Sequence, residues 1–188
     1  MSRPSGQTTD TEPLEQWEYL LILSHLAAHW RLLYELLEEI GIRLGEALAI
    51  TRADLHAGDI WITSEKRADH LRRQIPISAS LYSRIRIYSL SHKGERVWEF
   101  TGSAAWLALK KAAIAAGVRI KQTKGVTTTT IHPHLFRHGF AHRVERAGKP
   151  MNTIQGMLGH KSIQSTERYT KATKNEIMEA FREVNKRM

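Results

Sequence analysis

Residues 134–169 read HLFRHGFAHRVERAGKPMNTIQGMLGHKSIQSTERY. The stretch opens with an H-x-x-R pair, His134 and Arg137, and continues to a Leu-Gly-His step at Leu158, Gly159 and His160. A tyrosine in a polar setting, Tyr169, closes it. Residues 134–146 read as a helix whose apolar face is Leu135, Phe140, Ala141 and Val144, and His134 and Arg137, at i and i+3, share a side of it. His138, one turn past His134, is expected as a buried structural neighbour under them. One arginine, two histidines and a tyrosine suit a phosphate better than a metal. A zinc site from His132, His134 and His138 is the weaker reading, because His132 precedes the helix and no acid completes the set.

C-terminal to this helix, Gly148-Lys149-Pro150 reads as a stop, and Asn152 or Thr153 as the cap of a second helix ending at Gly159. Residues 162–169 read as a short helical turn carrying Tyr169. Residues 175–188 form an amphipathic pattern with Ile177, Phe181 and Val184 on one side. That stripe either packs on its own domain or docks on a neighbouring copy.

Toward the N-terminus, residues 14–40 carry apolar positions at three- and four-residue steps, predicting one long helix or two broken near His29. Gly41 sits where a glycine ends a helix. Residues 42–50 predict a short helix with Arg43 at its start. An arginine there opposes the macrodipole unless helix and guanidinium address one anion; the alternative is a surface arginine paired with Glu46. Residues 54–59 read as a turn-rich connection. Residues 59–63 (DIWIT) and 73–77 (RQIPI) read as short strands, with Pro76 marking an edge. The polar, basic loop between them holds Lys66 and Arg67. Residues 78–90 read as a helix, with strand as the alternative. Ser103 reads as the cap of an alanine-rich helix ended by Gly117, and residues 120–130 as an irregular or extended connection.

The chain has 188 residues, one domain's worth, and its 41% apolar content with five Trp suffices for a core. Its formal net charge is +9, spread along the chain, which points to a polyanion and by default to nucleic acid. With no Cys there is neither disulfide nor thiolate chemistry. No apolar run approaches the ~20 residues of a membrane span, so no membrane partner is expected. Residues 1–13 have no periodicity and read as a disordered tail without a secretory signal.

Four blocks of this chain, in order, resemble the tyrosine recombinase (phage integrase) family in its catalytic domain. GIRLGEALAI is similar to the first arginine box and gives Arg43. The basic loop is similar to the family's hairpin lysine and gives Lys66, with Arg67 as a competitor. HPHLFRHGFAH gives His134 and Arg137, and MLGHKSIQSTERYT gives His160 and Tyr169. The last two blocks carry most of the resemblance, which spans roughly residues 35–185. It implies a mainly α fold with a small antiparallel β-sheet (α+β). It also implies a catalytic domain over residues 14–188 with no separate core-binding domain, as in a minimal recombinase or an excised catalytic domain.

The resemblance further implies a site-specific recombinase using a 3′-phosphotyrosine intermediate, with double-stranded DNA as substrate and no metal or other cofactor. It implies a cytoplasmic protein, nucleoid-associated when bound to DNA, and a homo-oligomer (dimer or tetramer) on DNA in which the C-terminal helix passes between copies. Its chemistry suits these residue types. Only about a thousandth of an unperturbed tyrosine is phenolate at neutral pH, so Tyr169 needs positioning and help with its proton. Arg43 and Arg137 would grip the non-bridging oxygens as bidentate forks. In the family's scheme His134 accepts a proton or holds the phosphate, His160 donates to it, and Lys66 protonates the leaving 5′-oxygen. The alternatives are a type IB topoisomerase-like relaxer, and a non-catalytic DNA-binding accessory protein that keeps the fold.

Overall fold

The structure, a computed structural model, describes residues 12–63, 72–159 and 173–185. Its first helical stretch is two helices, α1 (Gln16–Ser24) and α2 (Ala28–Ile40). The break comes just before His29, where the hydroxyl of Ser24 and Nδ1 of His25 both bond the Leu21 carbonyl, at 2.7 and 2.9 Å. α2 buries Leu33, Tyr34, Leu36, Leu37 and Ile40 almost completely. Each such side chain contributes about 1.5–3 kcal/mol relative to exposure.

α2 ends against α6 (His134–Arg146), and the junction is specified by residues far apart in the chain. Gly41 takes the left-handed conformation, φ 66°. A Cβ there would lie 2.2 Å from a ring carbon of Phe140, so glycine is required both by backbone and by space. The last carbonyls of a helix have no partner within it. Here those of Glu38 and Glu39 accept from Arg143 of α6, at 2.9 and 3.0 Å.

Past Gly41 come α3 (Leu44–Leu48) and a single 3-10 turn at Arg52–Asp54. A three-stranded antiparallel sheet follows, β1 (Leu55–His56), β2 (Asp59–Thr63) and β3 (Arg72–Pro76), in the order β1-β2-β3. β2 has the bounds read from DIWIT, and β3 starts one residue earlier than expected. β1 corrects the reading of residues 54–59 as a connection only. Pro76 lies on the edge strand, as its missing N–H requires. The register pairs Ile60 with Ile75 and Ile62 with Arg73, which puts Arg73 on the buried side of β3.

α4 (Ala79–Leu90) settles residues 78–90 as helix, capped by Ser78, whose hydroxyl accepts from the Leu81 amide at 3.3 Å. α5 (Gly102–Ala115) is capped by Thr101, not Ser103; its hydroxyl accepts from the Ala104 amide at 3.2 Å. Residues expected as an irregular or extended connection are a paired hairpin, β4 (Ile120–Thr123) and β5 (Val126–Thr129). Lys124 and Gly125 turn it with φ of 51° and 76°, the left-handed pair that a two-residue hairpin needs. α7 (Met151–Leu158) starts after Pro150 rather than at Asn152 or Thr153. α8 (Lys174–Asn185) packs on its own domain: Ala180, Phe181 and Val184 are buried, and Phe181 stacks on Phe140 at 5.6 Å.

The last two residues of the expected tail are held. The Arg119 guanidinium donates to the carbonyls of Glu12 and Pro13, at 2.7 and 2.8 Å, and to both oxygens of Glu18, at 2.9 and 2.7 Å. Among the described residues no helix is long and apolar enough to cross a membrane.

Candidate active site

α6 turns Leu135, Phe136, Phe140 and Val144 into the core. Arg137, on the flank of that face, is only 5% exposed. Its Nη1 donates to the Gly41 carbonyl at 2.6 Å and its Nη2 to the Leu158 carbonyl at 2.7 Å. Gly41 is the C-cap of α2 and Leu158 the last residue of α7. One guanidinium therefore meets the carbonyl ends of two helices, where partial negative charge accumulates. Gly41 is two residues before Arg43, and Leu158 two residues before His160. Arg137 thus fixes the backbone beside both.

Burial, and then the nearby Arg43 guanidinium, push the Arg137 pKa down to about 10, which leaves it a cation at neutral pH. Two of its five N–H donors hold the two carbonyls; a guanidinium has three more to offer a phosphate.

Arg43 is the N-cap of α3. Its amide donates to Glu46 Oε2 at 2.9 Å, and its Nη1 meets Glu46 Oε1 at 3.4 Å. Its side chain is 30% exposed, open enough to meet a ligand. Glu46 is itself buried and accepts a second guanidinium, that of Arg73. Arg73 Nη1 lies 3.3 Å from Oε1 and Nη2 3.0 Å from Oε2. Burial alone would raise the Glu46 pKa; Arg73, the Arg43 amide and the Arg43 guanidinium outweigh it and hold the carboxyl below its usual range. Two guanidiniums thus meet one carboxylate, with that of Arg137 close enough to feel its charge, and the excess positive charge is what an anion would be drawn to. α3 is too short for its dipole to do this work. Both sequence alternatives for Arg43 hold together: it pairs with Glu46 and still belongs to the cationic cluster.

His134, the first residue of α6, stays open to solvent. Partial burial and the adjoining Arg137, His138, His132 and Arg43 hold its pKa below the ordinary histidine value, so it is a neutral acceptor near pH 7. His138 is exposed, not the buried neighbour expected. It lies edge-on to His134 with 5.6 Å between ring centroids, on the side of α6 turned away from the core.

The structure therefore brings Arg43, His134 and Arg137 together. Lys66 and Arg67, His160, the turn over residues 162–169 and Tyr169 lie outside the described residues. The residue that sequence reading missed is Arg73. Its signal was a charge at an inward position of a strand, on the side of Ile75, where a partner is obligatory.

Residues 13–176 match the Phage integrase family. Tyrosine recombinase XerC of Listeria welshimeri serovar 6b is 31% identical, over 80% of this chain and 52% of its own length. The chain spans about half the length of that relative. The catalytic domain of bacteriophage HP1 integrase superimposes with a TM-score of 0.61 at 22% identity, covering 84% of this chain and 85% of that domain. A lambda integrase dimer bound to a COC′ core site gives a TM-score of 0.62 at 19% identity, over 90% of this chain and 65% of that one. The fold, mainly α with small antiparallel sheets, is that of tyrosine recombinase catalytic domains.

Proposed function

The chain belongs to the phage integrase family, and on that premise we propose that it cleaves and rejoins double-stranded DNA at specific sites. Tyr169 attacks a backbone phosphorus, the P–O5′ bond breaks, and a 3′-phosphotyrosine and a free 5′-hydroxyl result. Attack by a 5′-hydroxyl from another strand reverses the step without an external energy source. The observation that carries this reading is the pair Arg43 and Arg137, the one two residues past Gly41 and the other bonded to the Gly41 carbonyl, with a surplus of positive charge. The pentacoordinate transition state gains charge on its non-bridging oxygens, and fixed guanidiniums meet that charge without reorganising.

In this scheme Arg43 and Arg137 each bind a non-bridging oxygen. His134, neutral and open, accepts the phenolic proton or holds the phosphate. His160 follows the Leu158 carbonyl that Arg137 holds and donates to the phosphate. Lys66 protonates the leaving 5′-oxygen. The substrate is duplex DNA and the working form is an oligomer on it, a dimer or tetramer. α8 passes to a neighbouring copy in that assembly and packs at home without it, as in the arrangement described.

The test is a covalent adduct. A duplex selected from a random-sequence library by binding is nicked so that the short downstream fragment, carrying the new 5′-hydroxyl, escapes after cleavage. The expected result is a protein–DNA adduct on a denaturing gel, lost in Tyr169→Phe while binding persists. An adduct that survives Tyr169→Phe would overturn the nucleophile. Relaxation of supercoiled DNA without strand exchange would favour a topoisomerase, and tight binding with no adduct an accessory protein.

A further inference from the structure

We propose that Arg73 is a positioning residue of this site: seated beside Gly159, it holds the Glu46 carboxylate and, through Glu46, the Arg43 guanidinium. The proposal rests on the strand-cleavage reading above.

Three segments meet at the Arg73 guanidinium. It belongs to β3, where its pairing with Ile62 turns it to the buried side of the sheet, and its side chain is 17% exposed. Both of its terminal nitrogens engage Glu46, one per carboxylate oxygen, at 3.3 and 3.0 Å. That fork fixes the plane of the carboxylate as well as its position. The same carboxylate takes the Arg43 amide at 2.9 Å and the Arg43 Nη1 at 3.4 Å, so its plane sets where the Arg43 guanidinium lies. The same guanidinium lies close beside Gly159. A Cβ at position 159 would sit 2.6 Å from Nη1 and 3.0 Å from Cζ, and Gly159 has a φ of 67°. Glycine suits the left-handed conformation, and a side chain there would have to displace the Arg73 guanidinium.

Arg73 therefore links β3, the arginine box and the Leu158–Gly159 step. Its fork is spent on Glu46, and its effect on a phosphate is exerted through Arg43. A lysine supplies charge but a single ammonium, and cannot fix a carboxylate plane.

The experiment compares Arg73→Met, Arg73→Lys, Glu46→Gln and the double variant Arg73→Met/Glu46→Gln. Single-turnover adduct formation at saturating nicked duplex is measured beside the Kd for that duplex and the thermal midpoint. The expected result for Arg73→Met is a loss on the order of 10²-fold in rate, the scale of a misplacement near 1 Å, with Kd little changed. Arg73→Lys should not restore the rate. The double variant should be no slower than the slower single, because both act along one route. If Arg73→Met fails to fold, Arg73→Lys carries the test: a slow rate with a near-parental midpoint supports positioning. A parental rate in a folded Arg73 variant overturns the proposal, as does a loss wholly in Kd or losses that multiply in the double variant. A parent that forms no adduct overturns the cleavage reading and this proposal together; an active parent with active variants overturns only this one.

Discussion

The Arg137 guanidinium donates to the Leu158 carbonyl at 2.7 Å, a bond between two helices that also places the residue two positions before His160. Its other terminal nitrogen does the same for Gly41, two positions before Arg43. An arginine expected to bind substrate is thus also the tie between the two motif blocks that flank it in space. Arg137→Lys keeps a charge but offers one donor centre where two carbonyls wait. Leaving a buried carbonyl unpaired should cost about 1–3 kcal/mol of stability. The adduct rate should fall about 10²–10³-fold, the scale of losing one transition-state donor. Denaturant unfolding and single-turnover cleavage measure the two effects; unchanged stability would contradict the tie.

Gly41→Ala tests the same junction from the backbone. The left-handed conformation costs a non-glycine residue about 1–2 kcal/mol. The new methyl would also overlap the fully buried Phe140 ring, which is itself stacked on Phe181. Overpacking adds typically about 1–3 kcal/mol. A combined loss of roughly 2–5 kcal/mol is expected in chemical denaturation. A loss below about 1 kcal/mol would mean that the ring has room the structure does not show.

Arg119 and Glu18 form a buried ion pair, each side chain 3% exposed, that anchors the chain entering α1. Arg119→Met leaves the Glu18 carboxylate buried and two carbonyls without their donor. Removing one partner of such a pair should destabilise by about 3–5 kcal/mol. Arg119→Met with Glu18→Leu should recover much of that, since neither charge then remains. Denaturation midpoints of the two variants decide it. Equal midpoints would show that the lost carbonyl contacts, not the stranded charge, set the cost.

His134 titrates below the ordinary histidine value of 6.5, through partial burial first and the Arg137 guanidinium next. The unfolded chain then takes up a proton on acidification before the folded one does. Any stability linked to His134 is full above pH 6.5 and declines as pH drops through that value. The neutral acceptor likewise persists below pH 6.5, so an acid limb in the cleavage rate set by His134 belongs on the acid side of it. A rate profile together with an NMR titration of the His134 ring checks both. A His134 midpoint above 6.5 would contradict the arrangement of cations around it.

Legibility in the sequence followed the strength of each local signal. β2 was readable to the residue, because DIWIT alternates and its isoleucines have one buried side. The bounds of α6 and the stop at Gly41 were equally plain. β1 was missed because two residues carry no alternation. The β4–β5 pairing was missed because its strands are exposed on nearly every position, and a strand without a buried side gives no register. Thr101 and Ser103 are both sound caps, and only the start of α5 chooses between them. At the site, Arg43, His134 and Arg137 were legible as motif residues. Arg73 was not: its partner Glu46 lies 27 residues away, and a charge next to another charge reads as solvated surface until the fold turns it inward. His138 was misassigned because an apolar helix face does not say how far round the helix burial extends.

The most direct test is where the DNA is attached. The adduct formed on the nicked duplex is digested with nuclease and protease, and the modified peptide is mapped by mass spectrometry. The expected result is a single nucleotide remnant joined through its 3′-phosphate to Tyr169, absent from Arg43→Ala and Arg137→Ala. Attachment at another residue, or through a 5′-phosphate, would contradict the account at its centre.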